Sequence, residues 1–203
     1  MGFYSTQIVP RVTHALMSAR PIAEVRARAL ARAQGTVLEV GFGSGLNLPH
    51  YPSSVVRLLA VEPSKVARTI ARTAIASSKF PVEFVGLDGQ SIGLPDASVD
   101  CVVTTWTLCT IPNAQRALTE FARVLKPGGK FIFAEHGRAP DATVAKWQDR
   151  LDGWQQRLAG GCHLNRAIDA LIAAAPLAIE TLDKFYAEGP RTHAYLYVGV
   201  AAR

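Results

Sequence analysis

Short apolar segments alternate with longer amphipathic segments along the first two thirds of this chain. The short segments are rich in valine, leucine and isoleucine, as is typical of strands that are buried on both faces. Buried strands that alternate with helices predict a parallel sheet with right-handed crossovers. The predicted strands are 36–40, 56–61, 82–85, 99–104 and 130–134, and the predicted helices are 21–33, 64–76 and 113–125.

The pattern changes after position 135. Residues 141–175 are predicted to be helical, with Trp147, Leu151, Trp154 and Leu158 spaced for one helix face. Two strands near 179–186 and 193–201 follow, joined by a turn at Gly189-Pro190. Two consecutive strands predict a hairpin, so one of them should run against the others. We expect an α/β fold with a seven-stranded, mostly parallel sheet, an antiparallel last strand and helices on both faces.

Composition and cysteine usage limit the class of protein. Of the 203 residues, 49% are hydrophobic and 19% are charged, which argues against disorder. No apolar run approaches the roughly 20 residues of a membrane span, and residues 1–11 lack a signal-peptide pattern. Cys101, Cys109 and Cys162 show no CxxC spacing, so we expect no bound metal, no disulfide framework and a cytoplasmic location.

Positive charge is concentrated before the first predicted strand. The formal net charge is +6, and Glu24 is the one acidic residue among the arginines of this segment. We interpret the segment as a solvated helix face, and peripheral contact with an anionic membrane is the alternative. Basic and aromatic residues do not interleave as they do in nucleic-acid grooves, so no nucleic-acid partner is expected. The arginines are Arg11, Arg20, Arg26, Arg28 and Arg32.

A glycine-rich segment directly follows the first predicted strand. Residues 37–47 read VLEVGFGSGLN, with glycine at positions 41, 43 and 45. Glycines are needed where the backbone turns sharply and a ligand approaches too closely for a Cβ atom. The segment departs from the dinucleotide-binding pattern G-x-G-x-x-G because position 46 is leucine. It therefore predicts a nucleotide-like ligand at the end of this strand, followed by a helix, and disfavours a nicotinamide oxidoreductase.

Acidic residues follow the next two predicted strands. Glu62-Pro63 ends the second strand, where a carboxylate can accept hydrogen bonds from both hydroxyls of a ribose. Asp88-Gly89 follows the third strand, where a carboxylate can accept from an adenine amino group or simply form a turn. Carboxyl ends of parallel strands share one edge of a sheet, so the glycine segment and both acids should meet there.

These segments resemble the class I S-adenosylmethionine-dependent methyltransferases in order and spacing. The resemblance rests on VLEVGFGSG, VEP, GLDGQSIGLPDASVDCVV and LTEFARVLKPGGKFIFAEH, and it implies a Rossmann-like fold. It also implies residue roles. Glu62 with Pro63 would bind the ribose, and Asp88 with Gly89 would bind the adenine. Thr105 would lie beside the methionine moiety or the acceptor, and a further group of residues would form a wall against the methionine part of the cofactor. The implied wall comprises Glu39, Gly41, Gly43 and Gly45, and Asn47, placed at the start of the next helix, is expected to reach the cofactor.

A closer resemblance covers most of the chain. VDCVVTTWTLCTIPN, AEHG and WQDRLDGWQQRLAGGCHLNR resemble the methyltransferase-like family that contains the animal microsomal alkyl-thiol methyltransferases and their bacterial relatives. Cys109, Glu135-His136 and the segment 161–164 have counterparts in that family. We expect a departure from that family in the absence of its N-terminal membrane-anchoring segment. We expect one domain over 1–203, divided into a helical lid (1–35), a cofactor-binding half (36–140) and a helical acceptor cover with the terminal hairpin (141–203).

The resemblance implies methyl transfer from S-adenosylmethionine to a small acceptor, with a thiol as the first expectation. Methyl transfer from a sulfonium mainly requires alignment of the acceptor and exclusion of water. His136, after the fifth strand, either accepts the acceptor's proton or forms structural hydrogen bonds, and both hypotheses stay open. A quinone-like phenol and a phospholipid amine are the alternative acceptors. A non-catalytic cofactor-binding or membrane-surface module is the alternative from another class.

Overall fold

The computed structural model describes residues 2–203 and contains one seven-stranded sheet in the order β3-β2-β1-β4-β5-β7-β6. The pairs β3-β2, β2-β1, β1-β4 and β4-β5 are parallel, whereas β7 is antiparallel to both β5 and β6. The α/β fold and the antiparallel last strand are therefore confirmed. The strands are β1 (Gly35–Val40), β2 (Val55–Val61), β3 (Val82–Gly86), β4 (Val99–Thr105), β5 (Leu125–His136), β6 (Ala178–Tyr186) and β7 (Tyr195–Ala202).

Several helix and strand boundaries differ from the predictions. The region predicted to be helical over 141–175 is two helices separated by residues 159–167, and the helix predicted over 21–33 ends at Leu30. The helix predicted over 64–76 is two short helices that meet at Ala71. β5 starts at Leu125, five residues before the predicted start, and Gly128 has a φ of 75° in this early part. The predicted turn at Gly189-Pro190 leads into a four-residue helix. The helices are α1 (Val9–Met17), α2 (Arg20–Leu30), α3 (Lys65–Ile70), α4 (Arg72–Ala76), α5 (Ala114–Val124), α6 (Ala142–Leu158), α7 (Ile168–Ala173) and α8 (Arg191–Ala194).

The prediction of a helix after the glycine segment is wrong. The chain forms only a 3₁₀ turn over Leu48–His50, and Asn47 is the residue before that turn. Pro49 lacks the N–H that a continuing helix would use, and Pro52 disfavours helical backbone at Tyr51, which is extended. The short connection keeps Asn47 and Tyr51 directly beneath the glycine segment.

Helices cover both faces of the sheet, as predicted. Alternate residues of each strand enter different core clusters. On one face, Leu38 and Val40 of β1 share a cluster with Phe121 of α5 and Ile172 of α7. On the other face, Val37 shares a cluster with residues that include Leu30 of α2 and Ala71.

The N-terminal segment packs against the end of the sheet that carries the glycine residues. A π-helical turn over Tyr4–Ile8 leads into α1. The Tyr4 hydroxyl donates to the Leu158 carbonyl at 3.0 Å, and His14 Nδ1 lies 2.7 Å from Ser44 Oγ. Met1, the first residue of the predicted lid, lies outside the described residues. Over residues 2–203, no helix has both the length and the apolar character that crossing a bilayer demands.

Candidate active site

The three glycines after β1 form an open turn at the carboxyl edge of the sheet. Gly41, Gly43 and Gly45 all have positive φ values, between 58° and 79°, which side chains other than glycine rarely adopt. A Cβ atom on Gly41 would lie 2.1 Å from Thr107 Oγ1 in the loop after β4, whereas one on Gly43 would have only the Gly41 carbonyl within 4 Å. The segment is thus packed on one side and open over Gly43, where a ligand can approach the backbone.

Glu62 lies at the end of β2 and faces this turn. Its carboxylate accepts the N–H of Gly43 and the N–H of Ser64, both at 2.7 Å, through different oxygens. Each oxygen keeps acceptor capacity for a further donor, such as a ribose hydroxyl. Burial raises the pKa of Glu62, and the two backbone N–H donors oppose that shift. Pro63, next in the chain, is exposed.

Asp88 and Gly89 occupy the same edge after β3. Asp88 is exposed and accepts from the backbone and the side-chain nitrogens of Gln90 at 2.8 and 2.9 Å, which lowers its pKa. A Cβ atom on Gly89 would lie 2.5 Å from Val40 Cγ1, so the chain needs glycine at this position to pass over β1. Asp88 is therefore an ionised, accessible acceptor at the edge where the glycine turn and Glu62 also lie.

A buried polar network lies beneath the glycine turn. Glu39 accepts from Asn47 Nδ2 and from the Tyr51 hydroxyl, both at 2.8 Å, and Asn47 Nδ2 also donates to Thr105 Oγ1 at 3.1 Å. Burial raises the pKa of Glu39 to about 7, although the two hydrogen bonds oppose the shift. Both Glu39 oxygens are used inside the protein, so in this structure the side chain braces the turn.

Arg26 completes this network, and the sequence analysis did not place it there. The expectation of a solvated helix face is wrong for this residue, because α2 buries it and its Nη1 donates to Asn47 Oδ1 and Thr105 Oγ1, both at 2.7 Å. Its guanidinium also lies over the Trp106 ring, and its Nε has no hydrogen-bond partner among the described residues. Arg26 lies four residues after Ile22 and three and four residues before Ala29 and Leu30, which places it on the apolar stripe of α2. This spacing in the sequence already indicated that Arg26 is buried.

His136, the last residue of β5, lies beside two cysteines. Its Nε2 is 3.1 Å from Cys162 Sγ, and its Nδ1 is buried without a hydrogen-bond partner in the described chain. Glu135, the preceding residue, accepts the backbone N–H groups of Thr107 at 2.8 Å and of Leu108 at 3.1 Å. Glu135 thus fixes the loop after β4 against β5.

All residues predicted for the cofactor site lie at or directly behind one edge of the sheet. Their individual roles stay predictions, because geometry alone does not assign a ligand to them. Three cysteine and histidine side chains that no sequence spacing connects also meet there: Cys109, His136 and Cys162. That contact depends on how the loops after β4 and α6 fold, and sequence periodicity carries no information about such loops.

In sequence, the chain is similar to methyltransferases. Residues 38–133 match the family model described as a methyltransferase domain. The chain is 37% identical to human thiol S-methyltransferase TMT1A over 135 residues, which cover 64% of this chain and 55% of that protein. It is 30% identical to phosphatidylethanolamine N-methyltransferase of Cereibacter sphaeroides over 162 residues, covering 79% of this chain and 76% of that protein. The match thus spans only about half the length of the human relative.

A solved structure supports the fold over nearly the whole chain. The protein solved in complex with the Haloferax volcanii Trm112 methyltransferase activator superposes with a TM-score of 0.72 and 19% identity, covering 98% of this chain and 95% of that one. Likeness at this level of identity establishes a shared fold.

Proposed function

Because this chain belongs to the methyltransferase domain family, we propose that it transfers a methyl group from S-adenosylmethionine to a small acceptor, with a thiol as the first candidate. The observation that carries the proposal is the convergence of an open glycine turn, Glu62 and buried Arg26 at one edge of the sheet. These residues offer close backbone approach, a carboxylate for hydroxyl groups and a cation for a carboxylate.

The described residues fit the proposed cofactor on two independent observations. The space over Gly43 would be partly filled by a Cβ atom, and Glu62 beside it retains acceptor capacity for two hydroxyl groups. On the other side of the turn, Arg26 Nε is buried and unpaired within residues 2–203, and a carboxylate beside it would supply the missing acceptor. Glu62 would therefore hold the ribose and Arg26 the methionine carboxylate.

The protein's task in this reaction is positioning. When bound, S-adenosylmethionine supplies a sulfonium-activated methyl group. Glu39, Asn47 and Thr105 fix Arg26, and Glu62 fixes the backbone of the glycine turn, so both ends of the ligand would be held before the acceptor arrives. The N-terminal segment, bound to Ser44 and Leu158, would exclude water from the site. His136 would orient the acceptor or take its proton.

A thiol suits this site because it needs little help from a base. A thiol with an ordinary pKa near 8.5 is already partly thiolate at neutral pH, whereas a phenol or alcohol depends more on a general base. The similarity to a thiol S-methyltransferase supports the same acceptor. A phospholipid amine is the second candidate, favoured by the similarity to a phosphatidylethanolamine N-methyltransferase and by the exposed apolar surface described below.

We also propose peripheral contact with anionic membranes in a cytoplasmic setting. Apolar side chains of the N-terminal segment and of α6 are exposed on neighbouring elements, which the Tyr4–Leu158 hydrogen bond joins. We name this set the apolar surface: Phe3, Tyr4, Ile8, Val12, Leu16, Trp147, Leu151, Trp154 and Leu158. Arg11, Lys146, Arg150 and Arg157 lie on the same elements, which favours anionic lipid. Free thiols at all three cysteines suit a reducing compartment.

Turnover of labelled S-adenosylmethionine tests the proposal. We expect methylated product with hydrosulfide or an alkyl thiol, and less or none with a phenol, with a simple amine or with phosphatidylethanolamine vesicles. Glu62→Gln should weaken cofactor binding in calorimetry, whereas Glu188→Gln, at an exposed turn, should not. Cofactor binding without turnover of any acceptor would indicate the non-catalytic module, and product from vesicles alone would indicate the lipid amine.

A further inference from the structure

Two cysteines and a histidine form a buried cluster at the carboxyl ends of β4 and β5. Cys109 lies in the loop after β4, His136 ends β5 and Cys162 lies in the loop after α6. One ligand atom from each residue can be chosen so that all three lie within 4.8 Å of one another, and all three residues are buried. Within residues 2–203 this is the one group of three or more histidine, cysteine or acidic residues with such geometry.

Hydrogen bonds to backbone atoms hold the cluster in place without any of the three side chains. The His163 N–H donates to the Cys109 carbonyl at 2.8 Å, which joins the loop after α6 to the loop after β4. Arg166 donates to the carbonyls of Leu108 and Ile111, the latter at 2.7 Å. The Leu164 N–H donates to Asp152 at 2.7 Å. The cluster is thus organised in advance, as a ligand site requires.

The donor set suits zinc. Two thiolates and an imidazole are ligands that Zn²⁺ prefers, with Zn–S near 2.3 Å and Zn–N near 2.0–2.1 Å. In a tetrahedral site with bonds of those lengths, the ligand atoms lie roughly 3.5–3.8 Å from one another. The ligand atoms of the cluster are at most 4.8 Å apart, so small side-chain shifts would bring them to that separation. A disulfide between Cys109 and Cys162 would use the same sulfurs, but it would leave unexplained why His136 Nε2 faces Cys162 Sγ at 3.1 Å.

Three protein ligands leave one position of a tetrahedral zinc ion open. Structural zinc sites usually have four protein ligands, whereas sites with three bind water or substrate in the fourth position. A zinc ion with two thiolates and a neutral imidazole carries no net charge. Arg166, whose guanidinium donates to the carbonyls of Leu108 and Ile111 on either side of Cys109, adds a positive charge that favours an anionic fourth ligand.

We propose that Cys109, His136 and Cys162 bind Zn²⁺, and that its open position takes the acceptor thiol as a thiolate. This second half rests on the proposed thiol methylation. His136 then serves as a metal ligand and not as the proton acceptor, so the thiol loses its proton to solvent when it binds the metal. Its sulfur then forms a bond to the methyl carbon, the carbon–sulfonium bond breaks, and that electron pair stays on the sulfur of S-adenosylhomocysteine.

The position of the cluster agrees with such a role. β4 lies between β1 and β5 in the sheet, so the loop after β4 separates the glycine turn from His136. Thr107 in that loop contacts Gly41, and Cys109 follows two residues later. A thiolate held at the cluster would therefore lie on the acceptor side of the methionine end of the cofactor site.

Metal titration of the reduced full-length chain tests the first half. Cobalt, which substitutes for zinc and absorbs when thiolates bind it, should give a charge-transfer band that saturates at one ion per chain and disappears on adding zinc. Cys162→Ala should lower zinc affinity by more than ~10-fold, and Cys101→Ala, at a buried cysteine outside the cluster, should not. Unchanged S-adenosylmethionine affinity in Cys162→Ala would verify that it folds. Absence of the band, or a zinc-free protein with full thiol turnover, would overturn the proposal.

Thiol addition to the cobalt-loaded protein tests the second half. Propanethiol should shift the charge-transfer band, and 1-propanol should not. A band that thiols leave unchanged would refute acceptor binding at the metal. If cobalt binds but no thiol is methylated, the thiol function fails while the metal site stands, so the two failures are distinguishable. A Cys109–Cys162 disulfide in mass spectra of the active protein would refute the metal site.

Discussion

Arg26 lies on the apolar stripe of α2, where a charged side chain must find partners inside the protein. It donates to Asn47 and Thr105, and its buried Nε has no hydrogen-bond partner among the described residues. Hydrogen bonds to charged groups contribute about 1.5–3 kcal/mol, which corresponds to roughly 10–150-fold in affinity. We expect Arg26→Met to raise the dissociation constant for S-adenosylmethionine by more than ~10-fold in calorimetry. Arg28→Met, on the exposed side of the same helix, is the matched control, and equal affinities would remove Arg26 from the site.

Glu39 makes the stability of the protein depend on pH. Burial raises its pKa from 4.5 to about 7, so its contribution to stability is complete below about pH 4.5 and is lost as the pH rises through about 7. Glu39→Gln removes the titrating group and keeps an acceptor for Asn47. The free energy of unfolding of the variant, relative to the natural sequence, should therefore increase between pH 4.5 and 7.5 in denaturant titrations. A difference that stays constant with pH would contradict the raised pKa.

The positions of site residues that directly follow a strand were predictable from the sequence. The glycine turn, Glu62 and Asp88 follow their strands directly, so their placement at one edge comes with the parallel sheet. Arg26 and the Cys109–His136–Cys162 cluster depend instead on how α2 and the loop after α6 dock. The spacing of Arg26 along α2 indicates a buried position. Its partners, and the meeting of the three cluster side chains, follow instead from three-dimensional packing, which spacing along the chain does not encode.

The N-terminal segment is the element whose role is most directly testable. His14 contacts Ser44 in the glycine turn and Tyr4 contacts Leu158, so the segment bridges the turn and the end of α6. A chain that starts at residue 20 should bind S-adenosylmethionine more weakly, because the ligand would lose this cover. Calorimetry on the truncated and full chains measures the difference. Tyr4→Phe with His14→Ala should reproduce part of it, and unchanged affinity in the truncated chain would refute the lid.

At the scale of elements, prolines explain why no helix follows the glycine turn. A helix was expected after the glycine turn because such a turn commonly opens one, yet Pro49 and Pro52 confine the segment to one 3₁₀ turn. The strands were located well because short apolar runs bounded by turn residues are typical of buried strands. β5 was predicted too short because Lys126, Pro127 and two glycines interrupt its apolar pattern, although the strand continues through them.

Most of the exposed large apolar side chains lie on two elements, the N-terminal segment and α6, and make up the apolar surface. Phe3 is 75% exposed and Trp154 is 64% exposed, whereas exposed large apolar residues elsewhere are single ones such as Val56 and Leu87. We expect the protein to co-sediment with vesicles that contain anionic lipid and to remain in solution with neutral ones. Trp154→Ala with Leu158→Ala should reduce binding, and Val56→Ser should not. Equal binding by both variants would indicate attraction through charge alone.

The strand that completes the sheet is the last to be synthesised. β7 lies between β5 and β6, so β6 has no sheet partner until residues 195–202 leave the ribosome. Until then the nascent chain has at most five paired strands and an open, apolar edge on β5, which is the kind of edge that recruits other chains. Residues 195–202 must therefore be synthesised before β7 can cover the edge of β5. We expect the nascent chain to be most prone to aggregation, and most dependent on chaperones, between the synthesis of β5 and that of β7.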